Sequence, residues 1–244
     1  MNKKNILLEI KNLKKTYHGK PVVNELSFYV KEKEVVGLLG PNGAGKTTAF
    51  YMTIGLIKAD SGFVYFKNKD ISNLSIHSRA KLGMGYLAQE PSVFRNLTVK
   101  DNILCILETL NLSKKERNQR LESLLEELNL THLKDKLAIS LSGGERRRLE
   151  ITRALIREPK LLLLDEPFAN IDPLAVQDVK RLIKILKKKG IGILITDHNA
   201  REIFSIVDRS YIVQDGKIML EGKVKELIEN ENARKYYLGE DFSM

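Results

Sequence analysis

Apolar and polar residues alternate along "LLEIKNLKKTY" (7–17) and "VVNELSFYV" (22–30), the period-two pattern of half-buried strands. "VVGLLG" (35–40) breaks the alternation with a continuous apolar run, as a strand buried on both faces does. "KTTAFYMTIGLI" then repeats at helical spacing, and "GFVYF" ahead of the polar turn "KNKD" predicts a further strand. From Thr98 to about Leu137 only helical patterns occur. One of them opens at Ser113, where Ser-Lys-Lys-Glu forms a capping box before "LESLLEELNL". Alternation resumes with a helix from Gly143, the strand "LLLLD", a helix capped by Asp172 with Pro173 at its first position, the strand "IGILITD" and the helix "NAREIFSIV". The hairpin "SYIVQDGKIMLEG" follows, turning at Asp215-Gly216. Strands alternating with helices predict a mostly parallel sheet with crossover helices, an α/β fold interrupted by a helical insertion.

Composition narrows this reading. The 244 residues are 43% hydrophobic and 30% charged, as in soluble globular chains. The longest apolar runs, such as Leu161 to Leu164, fall far short of the ~20 residues of a membrane helix. The start, "MNKKNILLEI", is basic, but Glu9 interrupts it and no small-residue cleavage site follows, so no signal peptide and a cytosolic location are expected. Cys105 is the single cysteine, which excludes an internal disulfide; it reads as a small packing residue, and no Cys/His cluster has zinc spacing. The net charge is +10, but its lysines are spread over several elements. Charge alone does not choose between nucleic acid, an anionic membrane surface and polyphosphate ligands.

Two stretches carry the chemistry. "GPNGAGKT", Gly40 to Thr47, fits G-x-x-x-x-G-K-[ST] in full and lies between a predicted strand and a predicted helix. Its glycines let backbone N–H groups wrap phosphates, Lys46 places a charge on the β/γ-phosphates, and Thr47 offers a hydroxyl to Mg²⁺. "LLLLDEP" delivers Asp165 and Glu166 at the carboxyl end of a buried strand, where open α/β sheets bind ligands. Asp165 is suited to the magnesium shell and Glu166 to polarising the attacking water. A helix-capping acid pair is the plainer reading of those two residues. Together the stretches describe an ATPase or GTPase.

A third stretch, "LSGGERRRLEI", opens a helix with Ser142, Gly143, Gly144 and Glu145. It has the form of a second phosphate cradle without a lysine. Such a cradle is useful where it covers the exposed side of another chain's nucleotide, which two copies related by a two-fold axis would achieve.

With these motifs the chain resembles the nucleotide-binding subunit of an ABC transporter, over essentially its whole length. The resemblance implies a P-loop NTPase core with an N-terminal antiparallel β subdomain, at about 1–90 and 159–244. It places a helical subdomain carrying the signature at about 91–158. It implies ATP and Mg²⁺ as ligands. The nucleotide would be held by Tyr17, stacked on adenine, by Gly40, Pro41, Asn42, Gly43, Ala44, Gly45, Lys46, Thr47 and Thr48, by Gln89, and from a second copy by Ser142, Gly143, Gly144 and Glu145. The metal would fall to Thr47, Gln89 and Asp165, and catalysis to Glu166, His198 and Lys46. Tyr17 as a strand-edge aromatic, Gln89 as a turn residue and His198 as a cap for "NAREIF" are the plainer alternatives. Asp172 belongs both to a helix cap and to the loop that crosses the dimer in that family.

"LSGGERRRLEI", "DEPFANIDP", "LITDHNARE" and "YYLGEDFSM" are similar to the ATPases of lipopolysaccharide exporters. This implies a homodimer peripheral to the cytoplasmic face of the inner membrane, driving two separate transmembrane permease subunits, with no nucleic acid bound directly. Phe94 and Arg95 in "SVFRNLTVKDN" would contact those partners, Phe94 as the apolar anchor; packing beneath its own loop is the alternative. An importer ATPase for branched-chain amino acids and a soluble ABC ATPase of iron–sulfur assembly are the rival readings. Two departures stand out: Ala88 replaces the proline common before the glutamine, and Asn170 replaces a glycine, a change asparagine tolerates at positive φ.

Overall fold

The computed structural model describes residues 5–242. Met1 to Lys4, the basic start of the expected leader-free N-terminus, and the last two residues of "YYLGEDFSM" lie outside the described residues. The chain forms strands β1 (Ile6–Tyr17), β2 (Lys20–Lys31) and β3 (Val35–Leu39), helix α1 (Lys46–Ile54), strands β4 (Ser61–Phe66) and β5 (Lys69–Asp70), helix α2 (Ile76–Lys81) and strand β6 (Met84–Leu87). Helices α3 (Val99–Leu107), α4 (Lys114–Glu127) and α5 (Gly143–Leu155) come next, and then β7 (Leu161–Asp165), α6 (Pro173–Lys188), β8 (Gly192–Thr196) and α7 (Ala200–Phe204). Hairpin strands β9 (Arg209–Gln214) and β10 (Lys217–Gly222) precede the short helices α8 (Val224–Glu229) and α9 (Glu231–Ala233).

Two sheets result. One is antiparallel, ordered β2-β1-β4-β5; the other runs β10-β9-β3-β8-β7-β6, parallel except at its β9–β10 edge. The uninterrupted apolar strands are the central ones, and their pleat serves two cores. Leu161 and Leu163 of β7 face the core shared with the antiparallel sheet and α1, while Leu162 and Leu164 face the core shared with α3 to α6. A strand covered on both faces has no polar side to display, which is why these segments lack alternation.

The local signals predicted from the chain are present: Ser113 and Glu116 form their capping box, Asp172 caps α6, and Asp215 and Gly216 turn at positive φ. Cys105 is partly buried on α3, its thiol on the Asn102 carbonyl. Two elements gave little sequence pattern. β6 is only four residues long, and α2 only six, anchored by buried Arg79. The Arg79 guanidinium donates to the carbonyls of Met52, Thr53, Ser72 and Leu74, closing the C-terminal end of α1, and burial pushes its pKa down to about 10. Arg79→Met is expected to strip this donor from the four carbonyls, of which, among the described residues, only that of Met52 keeps another donor, the Gly55 amide, and to cost about 2–3 kcal/mol. At about 2–4 °C per kcal/mol for a chain of this size, a thermal melt should fall by roughly 4–12 °C; an unchanged melt would show the clamp to be dispensable.

Candidate functional site

The loop between β3 and α1 is built by glycine. Gly40 has φ 147°, and a Cβ there would stand 2.1 Å from the Val213 carbonyl oxygen; at Gly45, φ 98°, it would stand 2.4 Å from that of Val22. Only glycine lets the β9 and β2 backbones close on the loop this tightly. The β1–β2 hairpin therefore leans on the loop, and β1 ends at its turn with Tyr17, 40% exposed with Lys15 over its ring. Lys46, the first residue of α1, is buried and donates to the carbonyls of Gly40 (2.7 Å) and Pro41 (2.9 Å). Burial pushes its ammonium below the usual lysine value, while Glu166, Asp165 and Asp197 pull it back up. Pro41, Asn42, Gly43 and Thr47 are exposed and Thr48 half-buried, so the loop's rim is open to a ligand.

The ends of β7 and β8 supply the acids. Asp165 is 1% exposed; its Oδ1 accepts from the Thr196 hydroxyl at 2.6 Å, and its Oδ2 is buried with no hydrogen-bond partner among the described residues. Burial pushes this carboxyl above its usual value, against the Thr196 hydrogen bond. Glu166 sits at φ 44°, a left-handed conformation that costs a non-glycine residue free energy and is found where surroundings enforce it. Its amide donates to the Thr196 carbonyl, and its Oε2 accepts from Gln89 Nε2 at 2.8 Å and lies 3.6 Å from His198 Nδ1. Three residues far apart in the chain, Gln89, Glu166 and His198, thus line one cavity of about 520 Å³. His198 does not cap α7; Asn199 does. Asn170 has φ 57°, the conformation its residue type tolerates.

The signature turn, Ser142 to Glu145, contributes no residue to the lining of this cavity. Ser142 Oγ accepts from the Glu145 amide and the Glu145 carboxylate accepts from the Ser142 amide, so Glu145 is spent on capping its own helix. Among the described residues, no hydrogen bond joins Ser142, Gly143, Gly144 or Glu145 to the 40–48 loop, and none takes the Gly143 or Gly144 amide. A Cβ at Gly143 would stand 3.6 Å from both the Asn170 carbonyl oxygen and the Ile171 side chain, and Leu174 at the start of α6 is 82% exposed. Phe94 is 51% exposed with the Arg153 guanidinium 4.8 Å over its ring, and Arg95 is exposed beside it. Packing beneath its own loop does not describe Phe94.

Two residues of the cluster escaped the motif reading. Arg147 is 6% exposed and donates to the carbonyls of Ala88, Asp165, Glu166 and Pro167 and to the Glu150 carboxylate. The sequence shows only the middle of three arginines, without a sign that this one turns inward. Asp197 is 1% exposed, its Oδ1 accepting from the Asn199 amide. Burial pushes its carboxyl up, opposed by the Asn199 amide, by His198 and by the Phe168 amide. An Asp two residues before an Asn cap was the available signal.

The described part of the terminal segment, residues 236–242, folds back on the chain: the Tyr237 hydroxyl lies 3.4 Å from the His198 carbonyl and Phe242 meets Phe204 edge-on. No helix among the described residues is long and apolar enough to cross a membrane.

Comparison with known proteins places this geometry. The family described as ABC transporter matches residues 23–169. A lipopolysaccharide export system ATP-binding protein, LptB, of Acidithiobacillus ferridurans is 52% identical over 98% of this chain and 99% of its own. The protein of that name from Escherichia coli (strain K12) is 49% identical, covering 97% and 99%. An ATP-binding cassette of an ABC transporter in its ADP conformation superposes with TM-score 0.86 at 31% identity, covering 96% of this chain and 99% of that one. A dimeric post-hydrolysis cassette bound to ADP and phosphate superposes with TM-score 0.79 at 25% identity, covering 89% and 99%.

Proposed function

Because the chain belongs to the ABC transporter family of ATP-binding proteins, we propose that it powers lipopolysaccharide export as a homodimer seated on two separate transmembrane permease subunits. It binds and hydrolyses ATP, and proteins of this family work as dimers with transmembrane partners. Identity near one half, over the full length of relatives named for lipopolysaccharide export, supports the cargo. The same likeness supports a peripheral position on the cytoplasmic face of the inner membrane. Nothing in the site favours iron–sulfur assembly, because one partly buried cysteine offers no cluster ligand set.

The observation that carries the mechanism is the convergence of Gln89, Glu166 and His198 on one cavity, with the Gly143 and Gly144 amides free of hydrogen bonds among the described residues. In this reading the 40–48 loop and Lys46 hold the phosphates, and Tyr17 stacks on the base. Glu166 accepts the proton of the attacking water, and His198 steadies the γ-phosphate. The free signature amides cap the nucleotide of the second copy. Hard oxygen donors at Thr47, Gln89 and the unpartnered Asp165 Oδ2 suit Mg²⁺. When bound there, the ion would neutralise charge developing on the phosphates. Gln89 touches Glu166 directly, so a movement of its loop reaches the base within one hydrogen bond. Residues 91–158 would shift as a helical subdomain, carrying Phe94 and the signature together.

Isolation from detergent-solubilised membranes tests the partnership: two transmembrane proteins should copurify, whereas RNA or a cysteine-rich scaffold in their place would overturn it. Phe94→Ala should leave the ATPase rate of the isolated protein within about twofold and lower recovery of the membrane partners at least tenfold, as for loss of an interface anchor worth about 2 kcal/mol. Unchanged recovery would remove Phe94 from the interface.

A further inference from the structure

We propose that Asp60 is a positioning residue for Tyr17: it fixes the tip of the β1–β2 hairpin, and with it the distance of the base platform from the phosphate loop. This rests on the stacking role given above to Tyr17.

The tip needs a hold from outside the hairpin. β1 keeps β4 beside it only as far as Lys14, which pairs with Ser61, the first residue of β4. Beyond that point Lys15, Thr16 and Tyr17 pair with β2 alone. The two-residue turn that closes this ribbon has His18 at φ 50° and Gly19 at φ 76°. A two-stranded ribbon is marginally stable in water. Pro21, opposite Thr16, has no amide to give to the pairing.

Asp60 takes the place of the strand that β1 lacks there. It stands in the connection between α1 and β4, directly before Ser61. Its amide donates to the Lys14 carbonyl (2.9 Å), its Oδ2 accepts from the Thr16 amide (2.7 Å) and its Oδ1 accepts from Lys15 Nζ (2.7 Å). One residue thus holds three consecutive residues of β1. Lys15 first, and the Thr16 amide after it, keep the Asp60 carboxyl below the usual carboxylate range.

Lys15 carries this hold to the ring. Residues two apart on a strand share a face, which puts its side chain beside Tyr17. Its ammonium also donates to the Lys58 carbonyl (2.9 Å), in the same connection as Asp60, and lies 5.6 Å from the centre of the Tyr17 ring. With two anchors and a side chain only 17% accessible, it is a fixed cation rather than a waving surface lysine. The connection that fixes it leaves the C-terminal end of α1, and α1 begins with Lys46. The helix that presents Lys46 to the phosphates therefore also sets, through Lys58 and Asp60 beyond its far end, where the aromatic ring stands. Both ends of the nucleotide are measured from one helix.

The test compares ADP, which has a base, with inorganic tripolyphosphate, which offers phosphates without one. In calorimetry Asp60→Ala should bind ADP about tenfold more weakly, the scale of one lost base–aromatic stack, and tripolyphosphate within about twofold of the unaltered protein. KM for ATP should rise by the same factor while kcat stays within about twofold. Tyr17→Ala should weaken ADP alike. Asp60→Ala/Tyr17→Ala should then bind ADP no more than about twofold worse than Tyr17→Ala, because both changes remove one contact. Equal losses for ADP and tripolyphosphate, unchanged ADP binding in Asp60→Ala, or a further loss of about tenfold in the double variant would each overturn the proposal. Normal ADP affinity in Tyr17→Ala would instead overturn the assignment of Tyr17 to the base, whatever Asp60 does.

Discussion

Glu166→Gln is expected to bind ATP as the unaltered protein does and to lose turnover by about 10²–10⁴-fold, the contribution of a positioned general base. The amide keeps the size of the side chain, and its oxygen still accepts from Gln89, so the cavity retains its shape. What disappears is the site that takes the proton of water. The 40–48 loop, Lys46 and the signature amides are untouched, so in the proposed composite site the phosphates would stay gripped from both sides with nothing to release them. Saturated with magnesium and ATP, the variant should run as a dimer by light scattering, whereas nucleotide-free protein should not gain mass in this way. Turnover within twofold of the unaltered protein would remove Glu166 from the base role. A monomer under saturating nucleotide would remove the composite site.

The second large effect lies at Arg147. Arg147→Met leaves the Glu150 carboxylate, 4% exposed as a residue, without its cation, and strips one donor group from four carbonyls. An uncompensated buried charge costs about 3–5 kcal/mol. That corresponds to a melting temperature lower by roughly 6–20 °C in a chain of this size. The double variant Arg147→Met/Glu150→Met should regain much of that stability, because apolar residues of similar volume commonly replace a buried ion pair at little cost. It should not regain turnover. The carbonyls of Ala88, Asp165, Glu166 and Pro167 are where the glutamine loop, the acid strand and the signature helix are tied together, and methionine ties none of them. A single variant that melts normally, or a double variant with full ATPase activity, would show the tie to be ornamental.

The contrast between Arg147 and Lys46 shows what was legible. Lys46 announces itself because a phosphate loop needs glycines and a lysine at set spacing within eight residues. Arg147 reaches carbonyls 18 to 59 positions away, and nothing in "ERRRLE" distinguishes it from Arg146 and Arg148. Asp197 is a similar case: "ITDHN" points to its histidine, and the aspartate's burial depends on β8 lying between β3 and β7. β6 was hard to see since a four-residue strand beside glycine carries too little pattern, and its stability comes from pairing with β7. Glu145 reverses the lesson: the motif suggested a ligand contact, and local geometry commits its carboxylate to a cap.

Short-range chemistry was therefore determined by the chain alone. Glycine spacing set the phosphate loop, capping boxes set the starts of α4 and α5, and uninterrupted leucine runs set strands that both cores must cover. Only the tertiary structure decided that Gln89 meets Glu166, that Glu166 is held at φ 44°, and that Asp197 and Arg147 turn inward. The reason is one of range. A cap or a turn is satisfied by atoms a few bonds away, whereas a buried charge is tolerated only where distant strands and helices bring it partners, and those partners exist only once the sheet has formed.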